Sequence, residues 1–204
     1  MHNHHLKQPQ TKSFLHIHGE ASVQENMDII LNEIKQTSLG IIAIDGRSAS
    51  GKTTLAKSLA EHLSAGLVHM DDFFLPQHLR TASRLNEVGG NVDYDRFIKD
   101  VLPHCRCTPQ GHFGAFAYPI FDCSHMKISG TRHVTSSPWL IIEGAYAAHP
   151  KFGNYMDFNI FSDIDPKLQM ARIIQRNGKE KAAMFAARWI PYEEQYISWL
   201  LPEA

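Results

Sequence analysis

The chain has 204 residues, enough for one α/β domain with a sizeable core and too few to require two. Its 20 basic and 21 acidic side chains leave a net charge of -1, which excludes a global field that would draw in nucleic acid or an anionic membrane surface. Cys105, Cys107 and Cys123 make no disulfide framework and fit a reducing cytoplasm, and the sequence shows neither a membrane-spanning apolar run nor the apolar core of a secretion signal.

Residues 1–20 are polar and histidine-rich, with His2, His4, His5, His16 and His18, and read as a flexible leader or cloning remnant rather than a metal chelator. From residue 21 onward one domain is expected. Met27, Ile30, Leu31 and Ile34 recur at helical spacing and predict an amphipathic helix over 24–37. Ser38-Leu39-Gly40 breaks it, and the apolar run Ile41 to Ile44 suits a parallel strand covered on both faces. That strand delivers the chain to Gly46-Arg47-Ser48-Ala49-Ser50-Gly51-Lys52-Thr53-Thr54, which satisfies G-x-x-x-x-G-K-[ST]. Gly46 and Gly51 permit a backbone whose N–H groups turn around phosphate oxygens, and the following helix aims its dipole at the same anion. Lys52 is expected on the β- and γ-phosphates and the Thr53 hydroxyl on Mg²⁺.

Leu55, Ala56, Leu59, Ala60 and Leu63 predict a helix to about residue 62 or 64, and Leu67 to Met70 a second strand ending in Asp71-Asp72-Phe73-Phe74. In open α/β sheets ligands gather at the carboxyl ends of strands, so this acidic pair faces the phosphate loop. Residues 75–133 are irregular, with a short helix expected over 95–102 and a hairpin within 113–121; so long an excursion reads as a binding region. Asp93 and Asp95 are either acceptor-binding carboxylates or helix caps. His104-Cys105-Arg106-Cys107 has no second pair to complete a zinc set. Trp139 to Ile142 is a buried-strand run ending in Glu143, placed to hold a Mg²⁺-bound water. Residues 158–161 supply a further strand, Asp165 and Pro166 open a helix with a stop at Gly178, and Arg172 and Arg176 share one face of it. Those arginines suit a phosphate clamp, although a solvated basic face is the commoner meaning. A last segment over 179–189 is expected to break at Pro191, and Tyr192, Tyr196, Trp199 and Leu200 to pack in a core or interface.

Taken together, these motifs resemble the uridine kinase and phosphoribulokinase branch of the P-loop kinases, and most closely its small bacterial uridine kinase-like members. The resemblance runs over about residues 25–200. It rests on residues 44–54, on Asp71 to Phe74, on Asn91 to Phe97, on Ile142-Glu143-Gly144-Ala145-Tyr146 with His149-Pro150, and on residues 165–191. It implies a three-layer P-loop fold, a parallel sheet flanked by helices, with an acceptor-binding insertion over 75–133 and a helical lid over 166–190. It implies Asp71 as the catalytic carboxylate, Phe74 in the acceptor site and Asp93 on the ribose hydroxyls. Phe121-Asp122 stands where the family has Tyr-Asp near the base, and His125 is one residue short of a base-contacting histidine.

The expected activity is transfer of the γ-phosphoryl group of ATP, with Mg²⁺, to the 5′-hydroxyl of a nucleoside such as uridine or cytidine. The alternatives are a kinase of another small alcohol, such as a sugar phosphate or a pantothenate-like acid, and a nucleotide-binding regulatory module without catalysis. A phosphorylated acceptor would need extra cations, for which Arg80, Arg84 and Arg96 are the candidates. The expected partner is a small molecule, with no nucleic acid or membrane, and the chain has room for a homo-oligomeric contact.

Overall fold

The computed structural model describes residues 13–201. Its strands are β1 (Ser13–His18), β2 (Gly40–Gly46), β3 (Gly66–His69), β4 (Phe116–Asp122), β5 (Lys127–Val134), β6 (Trp139–Glu143) and β7 (Phe158–Asp163). Its α-helices are α1 (Val23–Ile34), α2 (Lys52–Leu63), α3 (Ala82–Leu85), α4 (Tyr94–Asp100), α5 (Pro166–Met184) and α6 (Ile190–Leu200). Among the described residues β1, β7, β2, β6 and β3 form, in that spatial order, a parallel sheet, while β4 and β5 make a separate antiparallel hairpin.

The central strands are apolar throughout because both faces are covered. Successive side chains alternate between faces. Ile42, Ile44 and Ile141 meet Ile30 of α1 and Leu59 of α2 in one buried layer. Ile41, Ala43, Leu140 and Ile142 meet Phe97 of α4, Tyr118 of the hairpin and Tyr196 of α6 in the other. The result is the three-layer α/β arrangement expected from the motifs. Entry into α1 is set locally by a capping box, in which the Ser22 side chain accepts from the Glu25 N–H and the Glu25 carboxylate accepts from the Ser22 N–H.

Three sequence expectations change. The flexible leader over 1–20 does not extend to Ser13–His18, which pair in parallel with Phe158–Asp163 and close one edge of the sheet; residues 1–12 lie outside the described residues. The strand forms because its backbone completes the open edge of β7 while Ile17, 1% exposed, enters the core beside α1. The hairpin lies at 116–134 rather than within 113–121, and Pro119 is accommodated beside a register shift between Pro119 and Phe121. As expected, the helix opened at Pro166 stops at Gly178, whose backbone is non-helical, and a further helical segment follows to Met184, the two being counted together as α5. Pro191 falls in the first turn of α6, directly after a π-helical turn over Phe185–Trp189, so the helical backbone continues through it rather than breaking there. Of the C-terminal aromatics Tyr196 is buried, whereas Trp199 is largely exposed.

Ile17→Ala is expected to lower the free energy of unfolding in urea by about 2–4 kcal/mol through lost burial and a residual cavity. Phe14→Ala, on the exposed side of β1, is expected to change it by less than about 0.5 kcal/mol. Equal stabilities would show that β1 is no part of the sheet.

Candidate active site

The parallel register brings the chemistry together. Ile44 of β2 and His69 of β3 both stand opposite Glu143 of β6, and Gly46 stands opposite Ser162 of β7. The carboxyl ends of these strands are therefore level, and the turns that leave them share one crevice.

At the end of β2 the chain enters the phosphate loop through Gly46, whose φ is +132° and whose missing Cβ would lie 2.0 Å from the Ser162 carbonyl oxygen. Gly51 has φ +98° with open space around it, so conformation alone requires glycine there. Between them Ala49 holds φ +63°, a left-handed conformation costly for a residue with a side chain. Lys52 is buried, and its ammonium donates to the carbonyls of Gly46 at 2.9 Å and Arg47 at 2.7 Å. The Ser50 hydroxyl is buried without a hydrogen-bond partner. Thr54 follows Thr53 in the first turn of α2 and is exposed.

The Thr53 hydroxyl lies 3.0 and 3.2 Å from the two carboxylate oxygens of Glu143. His69 Nδ1 is 2.5 Å from Glu143 Oε1, an orienting partner that sequence reading passed over. Asp71, one turn beyond His69, opens onto the crevice within the field of Glu143 and Lys52. Surrounding protein mass and then Glu143 raise its carboxyl pKa, and Lys52 opposes them; solvent access moderates the effect. Its neighbour Asp72 is buried and spoken for: Arg132 of β5 binds it at 2.6 and 3.2 Å, and the Tyr118 hydroxyl donates to it at 3.0 Å. The acidic pair thus divides into one carboxylate that anchors the hairpin and one that faces the crevice.

The remaining residues expected on the acceptor side are more dispersed. Phe74 is half-buried and bridges to Val92, which ties the segment after Asp71 to that before Asp93. Asp93 caps α4 through the Arg96 N–H at 3.2 Å and meets the Arg96 guanidinium at 3.3 Å. Phe121 is buried with the Arg80 guanidinium 5.8 Å from its ring centroid. Asp122 and His125 bond to each other at 2.6 Å in the exposed turn of the hairpin. Asp71 and Asp72 both act electrostatically on Cys123, so the start of that turn overlooks Asp71. Arg188, from the block over 165–191, lies near enough to Arg80 to disfavour its charge after burial has done so.

Arg172 does not reach into the crevice. It donates to the Gly19 carbonyl at 2.9 Å and the Ala49 carbonyl at 3.2 Å, tying β1 to the outside of the phosphate loop. Arg176 is exposed and bonds to Asn177. Two carboxylates that local motifs never flagged are central instead. Asp45 is 1% exposed and accepts from the N–H groups of Gly46, Tyr146 and Ala148 and from the Tyr196 hydroxyl at 2.6 to 2.9 Å. Glu193 of α6 accepts from the Ser48 N–H at 2.8 Å and from the Ser48 hydroxyl. Burial pushes both carboxyls up, against those hydrogen bonds and the charge of Lys52.

The chain is similar to the uridine kinase of Staphylococcus haemolyticus, 30% identical over 151 residues that cover 69% of this chain and 70% of that protein. It is 32% identical over 148 residues to the chloroplastic uridine/cytidine kinase of Arabidopsis thaliana, a match covering 69% of this chain. It spans only 30% of the length of that plant protein. Its fold is similar to the solved structure of a possible uridine kinase from Bacillus stearothermophilus, with TM-score 0.60, 22% identity and coverage of 86% of this chain and 92% of that one. No family model matches the chain.

The two loop glycines are expected to differ in cost. Gly46→Ala drives a methyl into the Ser162 carbonyl and is expected to lose about 3 kcal/mol or more of unfolding free energy in urea. Gly51→Ala meets only the backbone penalty and is expected to lose about 1–2 kcal/mol.

Proposed function

The chain belongs to the uridine kinase family, and from that premise we propose that it moves the γ-phosphoryl group of ATP to a hydroxyl of a small molecule, most directly the 5′-hydroxyl of a nucleoside such as uridine or cytidine. The observation that carries the reading is the convergence of Lys52, Thr53, Glu143 and Asp71 on one crevice at level strand ends. In the transfer the acceptor oxygen bonds to the γ-phosphorus while the bond to the β,γ-bridging oxygen breaks, ADP leaves, and the acceptor proton passes to Asp71. Lys52 neutralises phosphate charge, and the N–H groups of the loop orient the phosphates.

The Thr53 hydroxyl and Glu143 carboxylate are hard oxygen donors side by side, a set that fits Mg²⁺ with most of its own water retained. When bound, that ion supplies further charge neutralisation. His69 holds the Glu143 carboxylate in orientation through Oε1.

An unphosphorylated acceptor is favoured because the cations that would greet a phosphate are engaged. Arg84 stacks on Tyr94 at 4.1 Å and bonds to the Val92 carbonyl, Arg96 bonds to Asp93 and the carbonyls of Asp72 and Pro119, and Arg80 bonds to the Leu75 carbonyl. A non-catalytic nucleotide-binding module is disfavoured by the intact set of Lys52, Thr53, Asp71 and Glu143 around one crevice. On this reading residues 75–133 bind the acceptor, with Phe74, Phe121, Asp122 and His125 on its nucleoside side, and 166–190 form the lid. The free thiols of Cys105, Cys107 and Cys123 support a cytoplasmic setting, and among the described residues no helix is long and apolar enough to cross a membrane.

A panel of nucleosides and other small alcohols, read by ADP release, tests the acceptor class; turnover confined to sugar phosphates would overturn the nucleoside reading. Lys52→Ala is expected to cut turnover by roughly 100-fold or more. Asp71→Asn is expected to cut kcat by about 10²–10⁴-fold. Because Asp71 must be ionised to accept the proton and its pKa is raised, kcat/KM is expected to fall with decreasing pH along a limb above the ordinary aspartate range, and Asp71→Asn to abolish that limb. A fully active Lys52→Ala enzyme, or an unchanged acid limb in Asp71→Asn, would refute the assignment.

A further inference from the structure

We propose that Glu193 is a positioning residue of the donor site, holding the phosphate loop from outside in the curvature that turns its remaining N–H groups toward phosphate; the inference rests on the reading of that loop as an ATP site.

The outward-facing polar groups of the loop are taken by side chains from the last two helices. Glu193 takes the N–H and hydroxyl of Ser48, Gln169 of α5 donates to the Ser48 carbonyl at 3.1 Å, and Arg172 donates to the Ala49 carbonyl at 3.2 Å. Arg47 is held by Asp163 at 2.6 Å and by Glu194. Both backbone polar groups of Ser48 are therefore fixed immediately before Ala49, whose left-handed backbone is the strained point of the turn. Strain of that kind persists only where the surroundings over-determine it.

The carboxylate is well placed to impose it. Glu193 is 6% exposed, and a buried charge is tolerated only where hydrogen bonds compensate it. Tyr196, three residues on and on the same face of α6, binds Asp45 at 2.6 Å. The helix thus grips the chain on both sides of Gly46, at Asp45 and at Ser48. Glu193 hydrogen-bonds to neither Lys52 nor Thr53, although the charge of Lys52 acts on its carboxylate; the contacts by which it positions the loop are those to Ser48.

The test is calorimetric titration of Mg-ATP into the wild-type chain, Glu193→Ala and Glu193→Gln, with a melting temperature for each. Glutamine retains an oxygen for the Ser48 N–H and an amide for its hydroxyl. The expected result is an increase in Kd of about tenfold or more for Glu193→Ala and recovery to within about threefold of wild type for Glu193→Gln. A lowered melting temperature with unchanged Kd in Glu193→Ala would overturn the inference, because a merely structural contact behaves that way. Tighter binding by both variants would overturn it too, by making the carboxylate a competitor of phosphate. Should Glu193→Ala fail to fold, Glu193→Asp is titrated instead: one methylene shorter, it is expected to bind more weakly, and an unchanged Kd would again overturn the proposal. A wild-type chain that binds no Mg-ATP would refute the underlying reading of the loop instead.

Discussion

The carboxylate of Asp45 is the point on which the crevice depends. It lies at the end of the central strand, fully buried, and gathers three N–H groups and one hydroxyl from three separate stretches: Gly46, the turn after β6 at Tyr146 and Ala148, and Tyr196 of α6. A buried carboxylate so surrounded is stabilised by its hydrogen bonds and expensive to leave without them. It therefore fixes where the phosphate loop begins relative to the segment that carries Glu143 and to the last helix of the chain. The parallel register does the rest, bringing Glu143 level with His69 and with the strand that enters the loop.

From that anchor the crevice acquires two unlike walls. On the donor side the loop, Lys52 and the start of α2 present donors to an anion, while α5 and α6 occupy the polar groups that face outward. On the acceptor side Asp71 is the carboxylate left open, since Asp72 is consumed by Arg132 and Tyr118 in holding the hairpin. The different surroundings of the two adjacent aspartates follow from the turn after β3, which sends one side chain into the crevice and the next into the core. On the proposed reading, the carboxylate open to the crevice and raised in pKa by its surroundings is the one suited to accept the proton.

Much of this was legible in the residues. The central strands announced themselves as short apolar runs because both faces are covered, and the phosphate loop because glycine is required at Gly46 by a carbonyl 2.0 Å from any added Cβ. What escaped the sequence escaped for physical reasons. Ser13–His18 buries only alternate positions, with Ile17 alone reaching full burial, so its signal was drowned by neighbouring histidines. Hairpin strand β5 is exposed along most of its length and carries no apolar pattern to read. Asp45 and Glu193 gained meaning only when segments about 100 and 145 residues apart came together, and no local spacing encodes that. Arg172 shared a helix face with Arg176 as expected, but the face it serves is the outside of the loop, which the spacing could not distinguish from the phosphate side.

The most direct measurement is phosphorus NMR of the products formed from Mg-ATP and uridine by the purified chain. Phosphoryl transfer at the crevice predicts ADP together with a new phosphomonoester resonance coupled to the 5′-methylene protons of the nucleoside, and none of it with Asp71→Asn. ADP accompanied only by inorganic phosphate, across uridine and cytidine alike, would contradict it.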